Sequence, residues 1–514
     1  MGDRPSFPTL WASGTIAREP QVAQLLLKKL RDAVGRTVEN LPEHGRHSRR
    51  FLPKTDLDKI LAYKSLDLLF RELACEGSSS GVGEALQAIT SDVANEQNGS
   101  YYTCLDKIVE KCIQATRSTP CRKSLLALFL YQDRPELLLM FLKWLTSGFY
   151  QSAAKHDHVL PSDNSMPFTE TDLFNYRVPD IYHAYILADQ AIFKPVTIQK
   201  LGHPRISSSE RLPFVGKLES IKSGSQGQVV RATIAQGHWE IQEDEAQNDA
   251  NFVPGNPNST KVVALKIFKA VEPARDMVEA TRDFEIELNI LKELRTSNTK
   301  HDMILLDWGS ITELDEAGKP IRHSLIFELA SFSLGDLLND KNRAQEYIAP
   351  SSLLASLVDI VEALECLHHQ LKTLHLDIKP DNILIFETFS GTGNERQYKL
   401  TWKLSDFGLA RKRDAKKRRA GSAQTSTATS RTSTQPATRP TGLYQAPEIQ
   451  EQETSVAGQG SDVWSMGCVT LMVLAFIADG SKGVRALETF LMVDFMNCAG
   501  KEPLFYVRSD SYQW

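Results

Sequence analysis

The spacing of apolar residues changes once along this chain, near Pro213, and that change divides what it can fold into. Upstream, Leu57, Ile60 and Leu61, then Leu66, Leu69, Phe70 and Leu73, recur at three- and four-residue steps, which places them on one face of a helix. Thr55 with Asp58 reads as an N-terminal capping pair for the first of these helices. A second helix is expected from Thr103, with Leu105, Ile108, Val109, Cys112 and Ile113 on one face. Residues 124–131 and 135–150 form two more apolar segments, split by Gln132-Asp133-Arg134-Pro135, a stop and restart signal. Downstream of Pro213, residues 217–221, 228–234 and 262–268 are short strand-like runs. The chain therefore reads as α+β, with the helical part first.

At 514 residues the chain holds two to four domains at about 150 residues each. We divide it into a poorly structured segment 1–54, whose one helical patch spans 22–34, a helical accessory region 55–150, a linker or extended segment 151–212 and a catalytic-type domain 213–514. Two low-complexity stretches read as loops inserted into that domain. One, near 235–260, is acidic and Asn-rich; the other, near 412–438, is a basic cluster followed by a Ser/Thr/Ala tract. The cluster 411–419 holds seven Lys or Arg against one Asp, and the plain reading is a solvated loop.

The net charge of −5 argues against direct nucleic-acid binding. Seven cysteines, an odd number without a C-x-x-C pair, point to a reducing compartment. No secretory signal opens the sequence, and although Gly2 and Ser6 fit the loose myristoylation pattern, Pro5 speaks against it. The most apolar stretch, 467–478, is too short to cross a bilayer. The expected location is the cytoplasm, or the nucleus if the basic cluster acts as an address, with no membrane partner. His156-Asp157-His158 lacks a third ligand and reads as solvated histidines.

Chemistry enters after Pro213. Ser223-Gly224-Ser225-Gln226-Gly227-Gln228-Val229 lies between two expected strands, and glycines there let backbone N–H groups approach phosphates. Val263-Ala264-Leu265-Lys266 sets a lysine in an apolar strand, a position that demands an anion. The helix expected over 282–294 offers Glu287. Then follow His375-Leu376-Asp377-Ile378-Lys379-Pro380-Asp381-Asn382-Ile383-Leu384, Leu404-Ser405-Asp406-Phe407-Gly408, Ala446-Pro447-Glu448 and Ser461-Asp462-Val463-Trp464-Ser465-Met466-Gly467-Cys468.

In order and spacing these blocks resemble the eukaryotic protein-kinase family over residues 213–514, in particular divergent filamentous-fungal kinases with a helical N-terminal region. The resemblance implies a bilobal fold, with a small β-rich N-lobe and a helical C-lobe, that uses ATP and Mg²⁺. It implies that Lys266 holds the α- and β-phosphates, oriented by Glu287, and that Asn382 and Asp406 are the Mg²⁺ ligands. Asp377 would orient the substrate hydroxyl and accept its proton, while Lys379 meets the γ-phosphate. Gly224 and Gly227 would fold the loop over the nucleotide; Val229, Ala264 and Leu384 would sandwich the adenine; the Glu328 carbonyl and Ala330 N–H would meet its edge, with Phe327 as gatekeeper. Lys379, two residues beyond Asp377, and Thr441, five before Ala446, resemble the Ser/Thr-specific branch, so the implied partners are protein substrates bearing Ser or Thr hydroxyls.

Three departures from the pattern stand out. Lys222 occupies the place of the first loop glycine. Leu376 replaces the arginine that normally pairs with a phosphorylated loop, which makes this a non-RD sequence. The chain ends soon after the helix expected over 462–478, so a shortened C-lobe is expected and the family partner of Glu448 is not evident. The leading functional expectation is a protein Ser/Thr kinase. The alternative is a pseudokinase or nucleotide-binding scaffold that binds partners through its helical region. A small-molecule kinase is disfavoured by Thr441 and Ala446-Pro447-Glu448.

Overall fold

The computed structural model describes residues 21–36, 50–75, 90–91, 94–95, 100–146, 161–207, 209–224, 227–241, 260–268, 277–297, 301–340, 349–390, 397–412, 443–447, 458–494 and 501–503. Two compact units are present. One comprises residues 1–219, 232–262 and 313–319, the other residues 220–231, 263–312 and 320–514.

The first unit is built on helices α1 (Gln21–Arg36), α2 (Lys54–Ile60), α3 (Tyr63–Cys75), α4 (Tyr101–Arg117), α5 (Lys123–Gln132), α6 (Pro135–Thr146), α7 (Glu170–Asn175) and α8 (Asp180–Phe193). In α5 the six consecutive residues Leu125 to Leu130 are all buried, the mark of a helix enclosed on every side. In α4, by contrast, Cys104, Leu105, Ile108, Val109, Cys112 and Ile113 form one buried face. Asp133 ends α5 in the left-handed conformation, φ 53°, at the expected stop signal.

Two expectations change here. Residues 151–212, read as a linker, carry α7 and α8, and Met166, Phe168, Leu173, Val178, Ile186 and Phe193 join the same core as α1–α6. In Asp180–Phe193 apolar residues occupy most positions, so no single face stands out as a helical period, and aromatic anchors such as Phe168 and Phe193 find their place once a core is there to receive them. The Thr55–Asp58 cap also does not form. The helix starts at Lys54 after Pro53, without a side-chain cap, and its first amide instead donates to Nε2 of the buried His238, 3.0 Å away. That histidine belongs to the supposed insert 235–260, where Trp239–Glu240 pairs in parallel with Ile198–Gln199. Residues 242–259 of the insert, and His156-Asp157-His158, lie outside the described residues.

The second unit contains β1 (Phe214–Gly224), β2 (Gly227–Ile234), β3 (Lys261–Phe268), helix α9 (Met277–Thr296), β4 (Ser310–Leu314) and β5 (Pro320–Phe327). Strands β1, β2, β3 and β4 straddle the boundary between the units. Along the six-stranded sheet the short edge strand Arg205–Ile206 is followed by β4, β5, β3, β2 and β1. Strands β3 and β5 run antiparallel, with Ala264 opposite Phe327 and Lys266 opposite Leu325. The chain continues through β6 (Phe332–Ser333), α10 (Leu334–Asn339), α11 (Pro350–Glu365), the hairpin β7 (Ile383–Ser390) and β8 (Gln397–Leu404), and α12 (Gln459–Phe490).

Helix α12 is longer than its sequence expectation on both sides and, by length and composition alone, could cross a bilayer. Its buried residues Met466, Val469, Met472, Val473 and Phe476 lie in the core of this unit with α9, α10, α11 and β8. The helical path breaks at Asp479 and Gly480, the glycine at φ 53°, ψ −148°, a conformation for which only glycine is suited. A Cβ at Gly483 would run into the Ala475 carbonyl, so the final turns fold back closely on the helix before the break. Beyond it, Met492–Asp494 pairs with Lys501–Pro503. Glu448 and Thr441 lie outside the described residues. The described cysteines Cys104, Cys112, Cys121, Cys366 and Cys468 are free thiols.

Candidate active site

Strand β3 alternates its side chains across a sheet flanked by β5 and β2, which carries Lys266 into a nearly dry interior. Lys266 is 9% exposed and Glu287, on α9, 1%. The lysine Nζ lies 2.6 Å from Glu287 Oε2 and 2.6 Å from Asp406 Oδ1. One cation thus faces two carboxylates, the buried Glu287 and the half-buried Asp406, and removing it would leave Glu287 without its counter-charge. Burial pushes the Glu287 carboxyl up, to about 7, against the pull of Lys266. Burial acts on Asp406 in the same direction, but Lys266, with smaller help from His375 and Lys379, outweighs it and holds the acid well below its ordinary range. Lys266 is itself desolvated, and the two carboxylates more than reverse that penalty, so its ammonium is firmly protonated.

The second cluster is built on the turn before β7. Lys379 Nζ donates to Asp377 Oδ2 at 2.9 Å, and Asn382 Nδ2 donates to the Asp377 carbonyl at 2.9 Å and to Oδ2 at 2.8 Å. Ser405, just before Asp406, donates from its N–H and its hydroxyl to the Asn382 carbonyl, both at 2.9 Å. Those bonds tie the Asp377–Asn382 turn to Asp406.

What fixes this turn is Asp462, buried on α12. Its Oδ1 accepts from the Leu376 N–H at 2.7 Å, and its Oδ2 accepts from the His375 N–H and from His368 Nε2, each at 2.8 Å. Leu376 is thereby held at φ 62°, in the left-handed region that costs a leucine about 1–2 kcal/mol. Asp406 sits there too, at φ 67°. The sequence displays Asp462 in a recognisable block but does not announce this role. Its one signal is an aspartate at the start of a strongly apolar helix, where an uncompensated charge would be costly.

The remaining residues fall as follows. Gly227 opens β2 at φ 146°, and a Cβ there would collide with the Ile267 carbonyl, so only glycine lets the hairpin lie this close to β3. Gly224 closes β1; Ser225 and Gln226 lie outside the described residues. Val229 is half-buried on β2 and Ala264 buried on β3. Leu384, half-buried on β7, stands opposite both Ser333 and Lys403. Glu328 and Ala330 follow β5, and the Glu328 carboxylate is pinned by Lys403 at 3.0 Å. Thr441 cannot be placed.

The residues fit a nucleotide and a hard cation. Asn382 spends both amide hydrogens on Asp377, which leaves its Oδ1 as an acceptor. With the Asp406 carboxylate it makes a two-oxygen donor set of the kind Mg²⁺ takes when phosphates complete the shell. Glu287 Oε1 is a buried acceptor without a hydrogen-bond partner among the described residues. No cluster of three or more His, Cys, Asp or Glu is found among the described residues.

Comparison with known proteins agrees. Residues 255–481 match the family described as protein kinase domain. The chain is 26% identical over 230 residues to cyclin-dependent kinase 7 of Xenopus laevis, covering 45% of this chain and 53% of that protein. It is 27% identical over 238 residues to serine/threonine-protein kinase 36 of Pongo abelii, covering 46% of this chain and 14% of that one. Against the mitogen-activated protein kinase HOG1 of Candida albicans the figures are 29% over 211 residues, 40% and 42%. The chain spans about half, or less, of the length of these curated relatives. Residues 255–481 are thus similar to protein kinase domains, and the relatives that match are themselves kinases.

Proposed function

We propose that this chain is a catalytically active protein serine/threonine kinase that moves the γ-phosphoryl group of ATP, with Mg²⁺, to Ser or Thr hydroxyls of protein substrates. The observation that carries the reading is the double engagement of Lys266 by Glu287 and Asp406. A buried cation between two carboxylates has little value for stability. It is useful where phosphate charge has to be met by a fixed ammonium and a metal-binding carboxylate.

In this reading Lys266 contacts the α- and β-phosphates, and Glu287 keeps its ammonium aimed. Asn382 and Asp406 hold Mg²⁺, which neutralises charge on the phosphates when bound. Asp377 accepts the proton of the substrate hydroxyl. Its Oδ2 takes hydrogen bonds from Lys379 and Asn382, which fix the orientation of the carboxylate. Lys379, beside it, is placed to meet charge growing on the transferred group. Gly224 and Gly227 bring the β1–β2 hairpin over the phosphates; Val229, Ala264 and Leu384 contact the base, with Glu328 and Ala330 at its edge. The domain is proposed to begin at Pro213, ahead of the family match.

The test is transfer of labelled phosphate from ATP–Mg²⁺ to a basic protein by the purified full chain, beside Asp377→Ala. Phosphoserine and phosphothreonine that fall by about 10²–10⁴-fold in the variant are the expected result. A folded chain that binds ATP yet transfers nothing would overturn it in favour of a nucleotide-binding scaffold.

A further inference from the structure

We propose that Lys412 is a positioning residue that clamps α9 from the base of the 413–442 stretch, so that Glu287 reaches Lys266 without a phosphate on that stretch. The inference rests on the kinase reading for its consequence in catalysis, but not for its geometry.

Arg411–Lys412 pairs antiparallel with Thr373–Leu374, just before His375. From that short ladder the Lys412 ammonium does two things. It donates to the Leu371 carbonyl at 2.9 Å, and it lies 3.1 Å from Glu293 Oε2 on α9. Glu293 is six residues beyond Glu287 on the same helix, less than two turns along. Helix α9 is therefore tied at two carboxylates, Glu287 by Lys266 and Glu293 by Lys412. A third tie, from Arg295 to the buried Asp307, binds the end of α9 to the segment leading into β4. Lys412 differs from the other two ties in joining α9 to the strand that enters the 413–442 stretch.

Leu376 makes this tie matter. A phosphate on the stretch would need an uncommitted cation beside Asp377 to act on the site; position 376 supplies none, and Lys379 is engaged by the Asp377 carboxylate itself. Lys412 supplies a positive charge at a neighbouring place, but spends it on Glu293 and a backbone carbonyl. Neither partner depends on a phosphate: one is a side chain of α9, the other a backbone carbonyl.

The Lys412 and Glu293 side chains are 41% and 55% exposed, so the pair is modest, equivalent to about a two- to fivefold effect on the position of the helix. The experiment uses the full chain after phosphatase treatment, as wild type, Lys412→Ala, Lys412→Glu and the exchange Lys412→Glu with Glu293→Lys. Three quantities are read: the hydrogen-exchange rate of α9 amides, kcat, and KM for ATP. In Lys412→Ala, α9 exchange is expected to rise about two- to fivefold with a matching fall in kcat; Lys412→Glu should exceed this, and the exchange variant should return towards wild type. Unchanged α9 exchange in Lys412→Glu overturns the proposal, as does failure of the exchange variant to recover. So does a treated wild type that gains activity, and slower α9 exchange, only on rephosphorylation. If the wild type transfers no phosphate in either state while α9 exchange follows the variants, the clamp stands and the kinase reading falls.

Discussion

Buried polar groups do different work in the two units. In the helical unit they close the fold. The Asp163 carboxylate accepts the Ser124 and Leu125 amides and so caps α5, while buried Gln190 takes the Phe168 N–H and donates to its carbonyl. His238 accepts from the Lys54 amide and, through Nδ1, contacts the Val196 carbonyl. Burial drops its ring to about 4, so it is neutral at physiological pH and serves as a spacer between backbone groups. In the kinase unit the buried groups are charged and face one another, and capacity is left over, as at Glu287 Oε1. A fold that only needs to hold together satisfies its polar atoms with backbone. A unit proposed to handle phosphates keeps charges in reserve and relies on residues such as Asp462 to fix them.

The sharpest test of this contrast is Asp462→Ala. It leaves the His375 and Leu376 amides unpaired and removes the partner of His368, so a stability loss of about 3–5 kcal/mol is expected in calorimetry. With the turn no longer fixed, phosphoryl transfer should be abolished; preserved transfer would break the assignment of Asp462 as the organiser of the turn. In the helical unit, Gln190→Ala strands two buried backbone groups of Phe168, and a loss of about 2 kcal/mol in denaturant unfolding should leave kcat for transfer unchanged.

Third in size is a pH effect. Because Glu287 is raised to about 7 in the folded protein, its ionised fraction, and ATP affinity with it, should climb between pH 6 and 8, by up to tenfold per unit below 7. Titration calorimetry against pH would show this limb in the wild type and its absence in Glu287→Gln. The effect on stability has the opposite sign. A carboxyl raised on folding favours the folded state fully below its unfolded value of 4.5, and this contribution declines as pH rises to about 7. Asp406, held low, stabilises the fold above its unfolded value of 3.8 and loses that contribution as pH falls. The smallest effect is Asp163→Ala, a lost helix cap of about 1 kcal/mol, read as a lower unfolding midpoint without change in transfer. A catalytic defect there would mean the two units are less separate in function than their polar groups suggest.

Much of the candidate site was legible as a group of residues because its members stand at short spacing in the sequence. Asp377, Lys379 and Asn382 lie within one turn, and a strand lysine such as Lys266 has few reasons to exist without an anion. The strand runs near 217–221, 228–234 and 262–268 and the helix over 282–294 all appear within a few residues of expectation. Segments whose order depends on distant partners were not legible. Residues 163–193 fold because α1–α6 give Phe168 and Phe193 a core, and α2 starts where it does because His238, far along the chain, accepts its first amide.

The sequence by itself determined the likeness to protein kinase domains and the chemical groups of the candidate site, since these follow from residue identity and local spacing. Tertiary structure alone decided that Glu287 and Asp406, far apart in the chain, share one lysine. It also decided that Asp462 holds the turn at Leu376, and that Lys412 reaches α9. Those contacts join residues tens to more than a hundred positions apart. Nothing local encodes such pairings, because burial against a common core, rather than any local preference, brings the partners within hydrogen-bonding distance.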